Sequence, residues 1–67
     1  MSDRVDALRP EHRNRAWRDR RGTVWSWCAY RRMWLDESRG EADRNAWRDQ
    51  EHMDTHGRDK GPFTAVD

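Results

Sequence analysis

Twelve consecutive residues, Val24 to Leu35 (VWSWCAYRRMWL), hold three of the five tryptophans, the single cysteine and the single tyrosine of the chain. Large apolar groups are packed nowhere else so densely, so a hydrophobic core has to form here. Their spacing bears on the fold class. At about 100° per residue, Trp17, Val24, Cys28 and Leu35 fall on one line and Ala16, Trp27 and Trp34 on the adjacent one. The pairs Trp17/Val24, Trp27/Trp34 and Cys28/Leu35 are each seven apart. The phase is kept across Gly22, which predicts one long helix over about 10–37, bent at the glycine, rather than two.

Local signals agree with that reading. Arg9 precedes a proline and is biased toward extended backbone, Pro10 suits a first helical position, and Glu11 favours the helix dipole. Ser38 followed three residues later by Glu41 is a capping-box pattern, which predicts a second helix over about 39–55 ended by His56-Gly57. Ala42, Ala46 and Met53 share its apolar face, with Trp47 to one side. The expectation is therefore an all-α fold: a polar lead-in at 1–9, a helical hairpin domain at 10–56, and a loop with an extended tail at 57–67, where Phe63 and Val66 dock.

Such a hairpin leaves its core incomplete. A chain of 67 residues, 33% apolar and 40% charged, buries only roughly 60% of the surface its unfolded form exposes. Leucine, valine and phenylalanine number six in all and isoleucine is absent, so tryptophan, at about 150–250 Å² each, supplies most of the apolar area. Five indoles on two helices need cover that one copy does not provide, which predicts a homodimer or a protein partner. Charge is segregated in the same sense. Residues 9–32 carry eight arginines against Glu11 and Asp19, whereas 36–59 carry four against eight acids, so the two halves are complements. Glu11/Arg15, Arg15/Asp19, Arg39/Asp43 and Asp54/Arg58 have the spacing of helical ion pairs. Glu11 with Ala16-Trp17-Arg18-Asp19 recurs thirty residues later as Glu41 with Ala46-Trp47-Arg48-Asp49, through duplication or coincidence.

The chemistry-bearing residues are few. Asp49, His52 and His56 have helical spacing and Cys28 offers a thiolate, but a structural zinc site takes four ligands, usually with paired cysteines; no metal is expected. Cys28 lies in the most apolar stretch, where a thiol is a small hydrophobe rather than a nucleophile. The acids alternate with arginines, and no glycine-rich phosphate loop is present. The reading is a non-enzyme without cofactor or small-molecule substrate. No run approaches the roughly 20 apolar residues that span a bilayer, and no signal-like segment is present, so a cytoplasmic location is expected.

What remains is binding. Tryptophan, tyrosine and arginine are the residues enriched at interface hot spots. The expected function is a small regulatory protein of the accessory or inhibitor type, of the kind phages and other mobile elements encode. Its predicted contacts with a protein partner are Trp25, Tyr30 and Met33, which lie off the main stripe, with Arg18, Arg21 and Arg32. The alternative is a nucleic-acid-binding protein that uses the arginine-dense segment 9–21, through Arg13, Arg15, Arg18, Arg20 and Arg21, with an indole available for stacking on bases.

Overall fold

A computed structural model describes residues 3–66. The fold is not a helical hairpin. It is a six-stranded antiparallel sheet with one short helix: β1 (Arg4–Val5), β2 (Ala16–Arg18), β3 (Val24–Cys28), β4 (Met33–Asp36), β5 (Trp47–Arg48), α1 (Gln50–Lys60) and β6 (Phe63–Val66). The strand order is β1-β6-β2-β3-β4-β5. The sequence predicted to be one rod over 10–37 is instead a single 3-10 turn at Pro10–His12 followed by three strands.

A separation of seven is ambiguous, and that explains the difference. It is two helical turns, but it is also the distance between partners in a hairpin with a short loop. Trp27 and Trp34 are cross-strand partners of β3 and β4, with rings edge to face at 5.5 Å. Between them the backbone turns through residues 29–32. Gly22 is where the predicted rod breaks, because its φ of 90° lies in the region that side chains with a Cβ avoid. There Asp19 closes the β2–β3 turn: its Oδ1 accepts from the backbone N–H of Arg21 at 2.9 Å and of Thr23 at 3.0 Å. Aromatic and β-branched residues on both sides of that turn suit a pleated surface.

The second predicted helix is displaced rather than absent. Ser38 does not cap a helix; its N–H and hydroxyl donate to Asp36 at the end of β4, and a 3-10 turn at Arg44–Ala46 leads into β5. The helix begins at Gln50, capped by Asp49, whose Oδ1 accepts from the His52 N–H at 2.8 Å. It runs through Gly57 to Lys60. The predicted lead-in and tail both enter the sheet, Arg4 opposite Thr64 and Val5 opposite Phe63. Of the helical ion pairs, Arg39–Asp43 is present at 3.7 Å, while Arg15 pairs with Asp3 at 3.1 Å.

Register assigns the side chains to two faces. Trp17, Trp25, Trp27, Trp34, Phe63 and Ala65 share one, and Met53 of α1 and Leu8 close over it. Leu8, Trp34, Met53 and Phe63 are fully buried there. The opposite face carries a smaller cluster of Leu35, Trp47 and Ala46, flanked by Cys28 and Met33.

One copy of the chain therefore buries four of its five indoles and half-buries the fifth, Trp27. Trp17, Trp25, Trp34 and Trp47 are all exposed by 9% or less, and each satisfies its indole N–H: Trp17 to the His12 carbonyl, Trp25 to Asp19, Trp34 to Gln50 and Trp47 to the Glu41 carbonyl. Arginine supplies the rest of the cover. Arg13 lies over Trp27 at 3.7 Å and Arg31 over Trp47 at 4.5 Å, contacts worth about 0.5–1 kcal/mol at exposed sites. The premise that the core needs a second copy or a partner to be complete is corrected by this geometry.

Gly61, between α1 and β6, is held by close approach. A Cβ there would collide with the carbonyl oxygen of Asp6, a backbone atom that moves only if the β1 connection moves. Gly61→Ala is expected to destabilise the fold by about 2 kcal/mol, in the range of overpacking strain, read as a lowered urea midpoint at unchanged slope.

Candidate functional site

The long central hairpin, β3 to β4, ends in the loop Ala29-Tyr30-Arg31-Arg32. The Arg32 N–H donates to the Cys28 carbonyl at 2.8 Å, so the loop is pinned at its base. Tyr30 at its apex is 95% exposed, the sole large hydrophobic side chain in that state among the described residues. Arg31 and Arg32 beside it are exposed as well. Arg31 reaches back over Trp47, whereas Arg32 sits at φ 56°, a left-handed conformation that normally falls to glycine or asparagine. A strained arginine at a loop tip is a costly choice for the fold alone.

The predicted contact residues separate in three dimensions. Tyr30 and Arg32 stand together on the tip, joined by Arg31, which the sequence reading did not select. Met33 opens β4 below them, half-buried against the second cluster. Trp25 is a core residue, 5% exposed and bonded to Asp19. Arg18 is exposed on the sheet face opposite α1, and Arg21 lies in the β2–β3 turn at the other end of β3.

The arginine-dense segment is dispersed too. Arg13 is engaged with Trp27 and donates to Gln50 at 3.2 Å, and Arg15 lies 5.7 Å from the Trp17 ring and pairs with Asp3. Arg18, Arg20 and Arg21 are exposed, on the sheet face and its adjoining turn. A strand alternates its side chains between faces, so these arginines do not form the single cationic stripe that a helix would have made.

His52 and His56 stack on the outer side of α1 with ring centroids 4.9 Å apart. Among the described residues no three His, Cys, Asp or Glu groups are arranged to hold a metal ion. The Nε2 of His52 is shielded and has no hydrogen-bond partner. Desolvation, then the charges of Lys60, Arg48 and His56, lower its pKa below 6.5, against the opposing effect of Asp49. The unfolded chain therefore takes up this proton first as pH falls. The His52 contribution to stability is present above pH 6.5, is lost as pH drops from there toward the folded-state value, and levels off below it. Thermal melts at stepped pH should show that loss, and His52→Gln should flatten the profile in this window.

The chain matches no known protein family, no curated protein and no solved structure, so a functional reading has to come from its own residues. No helix among the described residues is long and apolar enough to cross a membrane.

Proposed function

We propose that this chain is a small non-catalytic binding protein, of regulatory type and cytoplasmic, that docks the tip of its β3–β4 hairpin onto a protein partner. The observation that carries the reading is Tyr30: a chain that buries four of its five tryptophans and half-buries the fifth under Arg13 leaves its one tyrosine at the apex of its longest hairpin, between alanine and two arginines. Tyrosine and arginine are the anchors of interface hot spots, and a loop pinned at its base loses little entropy on binding. The left-handed Arg32 supports the same reading, since strained backbone tends to be kept at functional sites and this one lies two residues from Tyr30.

A separable prediction follows from that strain. Arg32→Gly relieves the φ penalty and should stabilise the isolated protein by about 1 kcal/mol, while weakening partner binding. Partner capture tests the reading directly. A photo-crosslinking residue at position 30 is expected to trap one protein in the native host, the same residue at position 55 on the outer side of α1 to trap none, and Arg32→Glu to abolish the adduct. An adduct indifferent to Arg32, or equally strong from position 55, would overturn it.

The nucleic-acid reading ranks second, supported by Arg18, Arg20 and Arg21, which form no ion pair among the described residues. Failure of a duplex oligonucleotide to bind at low salt removes it.

A further inference from the structure

At the end of the sheet remote from Tyr30, a cleft of about 350 Å³ opens between the β2–β3 turn, the loop after β4, β5 and the end of α1. Cations reach it from all four: Arg20 and Arg21 from the turn, Arg39 from the loop, Arg48 from β5 and Lys60 from the helix. Residues as far apart in sequence as Arg20 and Lys60 meet here because the Arg20 N–H donates to the Lys60 carbonyl at 3.1 Å, which ties the turn to the helix end.

Two of the three acids of the cleft are already engaged in its wall. Asp19 accepts from the N–H groups of Arg21 and Thr23 and from the Trp25 indole. Asp36 accepts from Ser38 and pairs with Arg39 at 3.5 Å. Asp59 and the carbonyl end of α1 offset part of the remaining charge. Arg20, Arg21, Arg48 and Lys60 form no ion pair among the described residues. Arg48 donates through one terminal nitrogen to the carbonyls of Asn45 and Trp47, which holds its guanidinium at the wall. The field of Lys60 and Arg48 also extends to His52, where both charges disfavour protonation.

We infer that this cleft binds the phosphate group of a small molecule, with Arg20, Arg48 and Lys60 as its principal donors. Gathering cations without ion pairs from three elements, the β2–β3 turn, β5 and the end of α1, is costly unless an anion offsets them, and forked guanidinium donors suit a tetrahedral oxyanion. A small ligand is favoured over a nucleic acid because acidic groups adjoin the cationic ones: Asp19, Asp36 and Asp59 all line the cleft. The inference is independent of hairpin docking and departs from the sequence expectation of no small-molecule ligand.

Calorimetry with inorganic pyrophosphate at low ionic strength is the test, alongside NMR titration of the His52 ring. Saturable one-to-one binding is expected, with the His52 pKa moving up when the anion offsets the neighbouring Arg48 and Lys60. The double variant Arg20→Gln/Lys60→Gln should weaken binding at least about tenfold, in line with the loss of charged hydrogen bonds. The charge-matched control Arg31→Gln/Arg32→Gln, at the hairpin tip, should leave it unchanged. No saturable binding, or equal loss in the control, overturns the site. An oligonucleotide that outcompetes pyrophosphate, with affinity falling steeply in salt, overturns the small-molecule assignment.

Discussion

Trp34→Ala is expected to leave most of the protein unfolded at 37 °C. The side chain has no exposed surface, sits on β4 between β3 and β5, meets the Trp27 ring edge to face, and donates its N–H to Gln50 at 3.1 Å. Truncating a buried aromatic to alanine costs about 3–5 kcal/mol. A chain of this length has a total stability of only roughly 3–10 kcal/mol at typical per-residue values. Urea unfolding followed by circular dichroism measures the loss. Trp34→Phe, which keeps most of the apolar volume but not the N–H, should retain a cooperative transition at a lower midpoint. A Trp34→Ala variant as stable as the parent would mean that Met53 and Phe63 close the core without it.

Gln50→Leu is the second large effect, and its cause is polar. The first residue of α1 joins three separate parts of the chain through one amide. Its Oε1 accepts from the Trp34 indole and from Arg13, and its Nε2 donates to the Leu8 carbonyl at 2.8 Å and to Asp54 at 3.0 Å. Leucine fills similar space but strands the indole N–H of a fully buried tryptophan and the carbonyl of a fully buried leucine. Each orphaned group costs about 1–3 kcal/mol, so a loss of about 3 kcal/mol is expected. Gln50→Glu keeps both acceptor contacts, loses the donor to Leu8 and should fall in between. The cause is separable from simple packing by a double-mutant cycle. Adding Gln50→Leu to Trp34→Phe should cost less than the sum of the two, because the indole donor is already gone. Strict additivity would place the role of Gln50 elsewhere.

These two residues show how unevenly the fold was legible. That the core forms in 24–35, and that indoles replace the missing aliphatics, follows from composition and density. Trp34, which anchors that core, lies in the stretch first singled out. Gln50 carries no such mark: nothing in a lone glutamine announces that it faces a carbonyl 42 residues earlier and an indole 16 residues earlier. The helix assignment failed for a definite reason. The heptad spacing that predicts a helix competes with the period-two alternation of Val24-Trp25-Ser26-Trp27-Cys28 and with the turn chemistry of Asp19 and Gly22, both of which mark a β-hairpin. The capping-box reading of Ser38 and Glu41 failed similarly, since serine and aspartate side chains also close turns. Of the contact residues, Tyr30 and Arg32 fell in the predicted turn-free rod yet occupy a hairpin tip. Helical phase places Trp25 outside, whereas strand phase puts it inside.

By itself, the amino-acid order determined where apolar area is concentrated, that tryptophan has to carry the core, and that arginine is in excess in the first half while acids are in excess in the second. Only the tertiary structure decided which indoles are hidden, which arginines cover them, and which stand free at the hairpin tip and the distant cleft. Spacing along a chain is shared by a helix and a hairpin up to the loop length. The insertion of β6, from the far end of the chain, between β1 and β2 is a long-range choice, settled by how completely each arrangement buries the indoles and satisfies the N–H groups of the four that are buried.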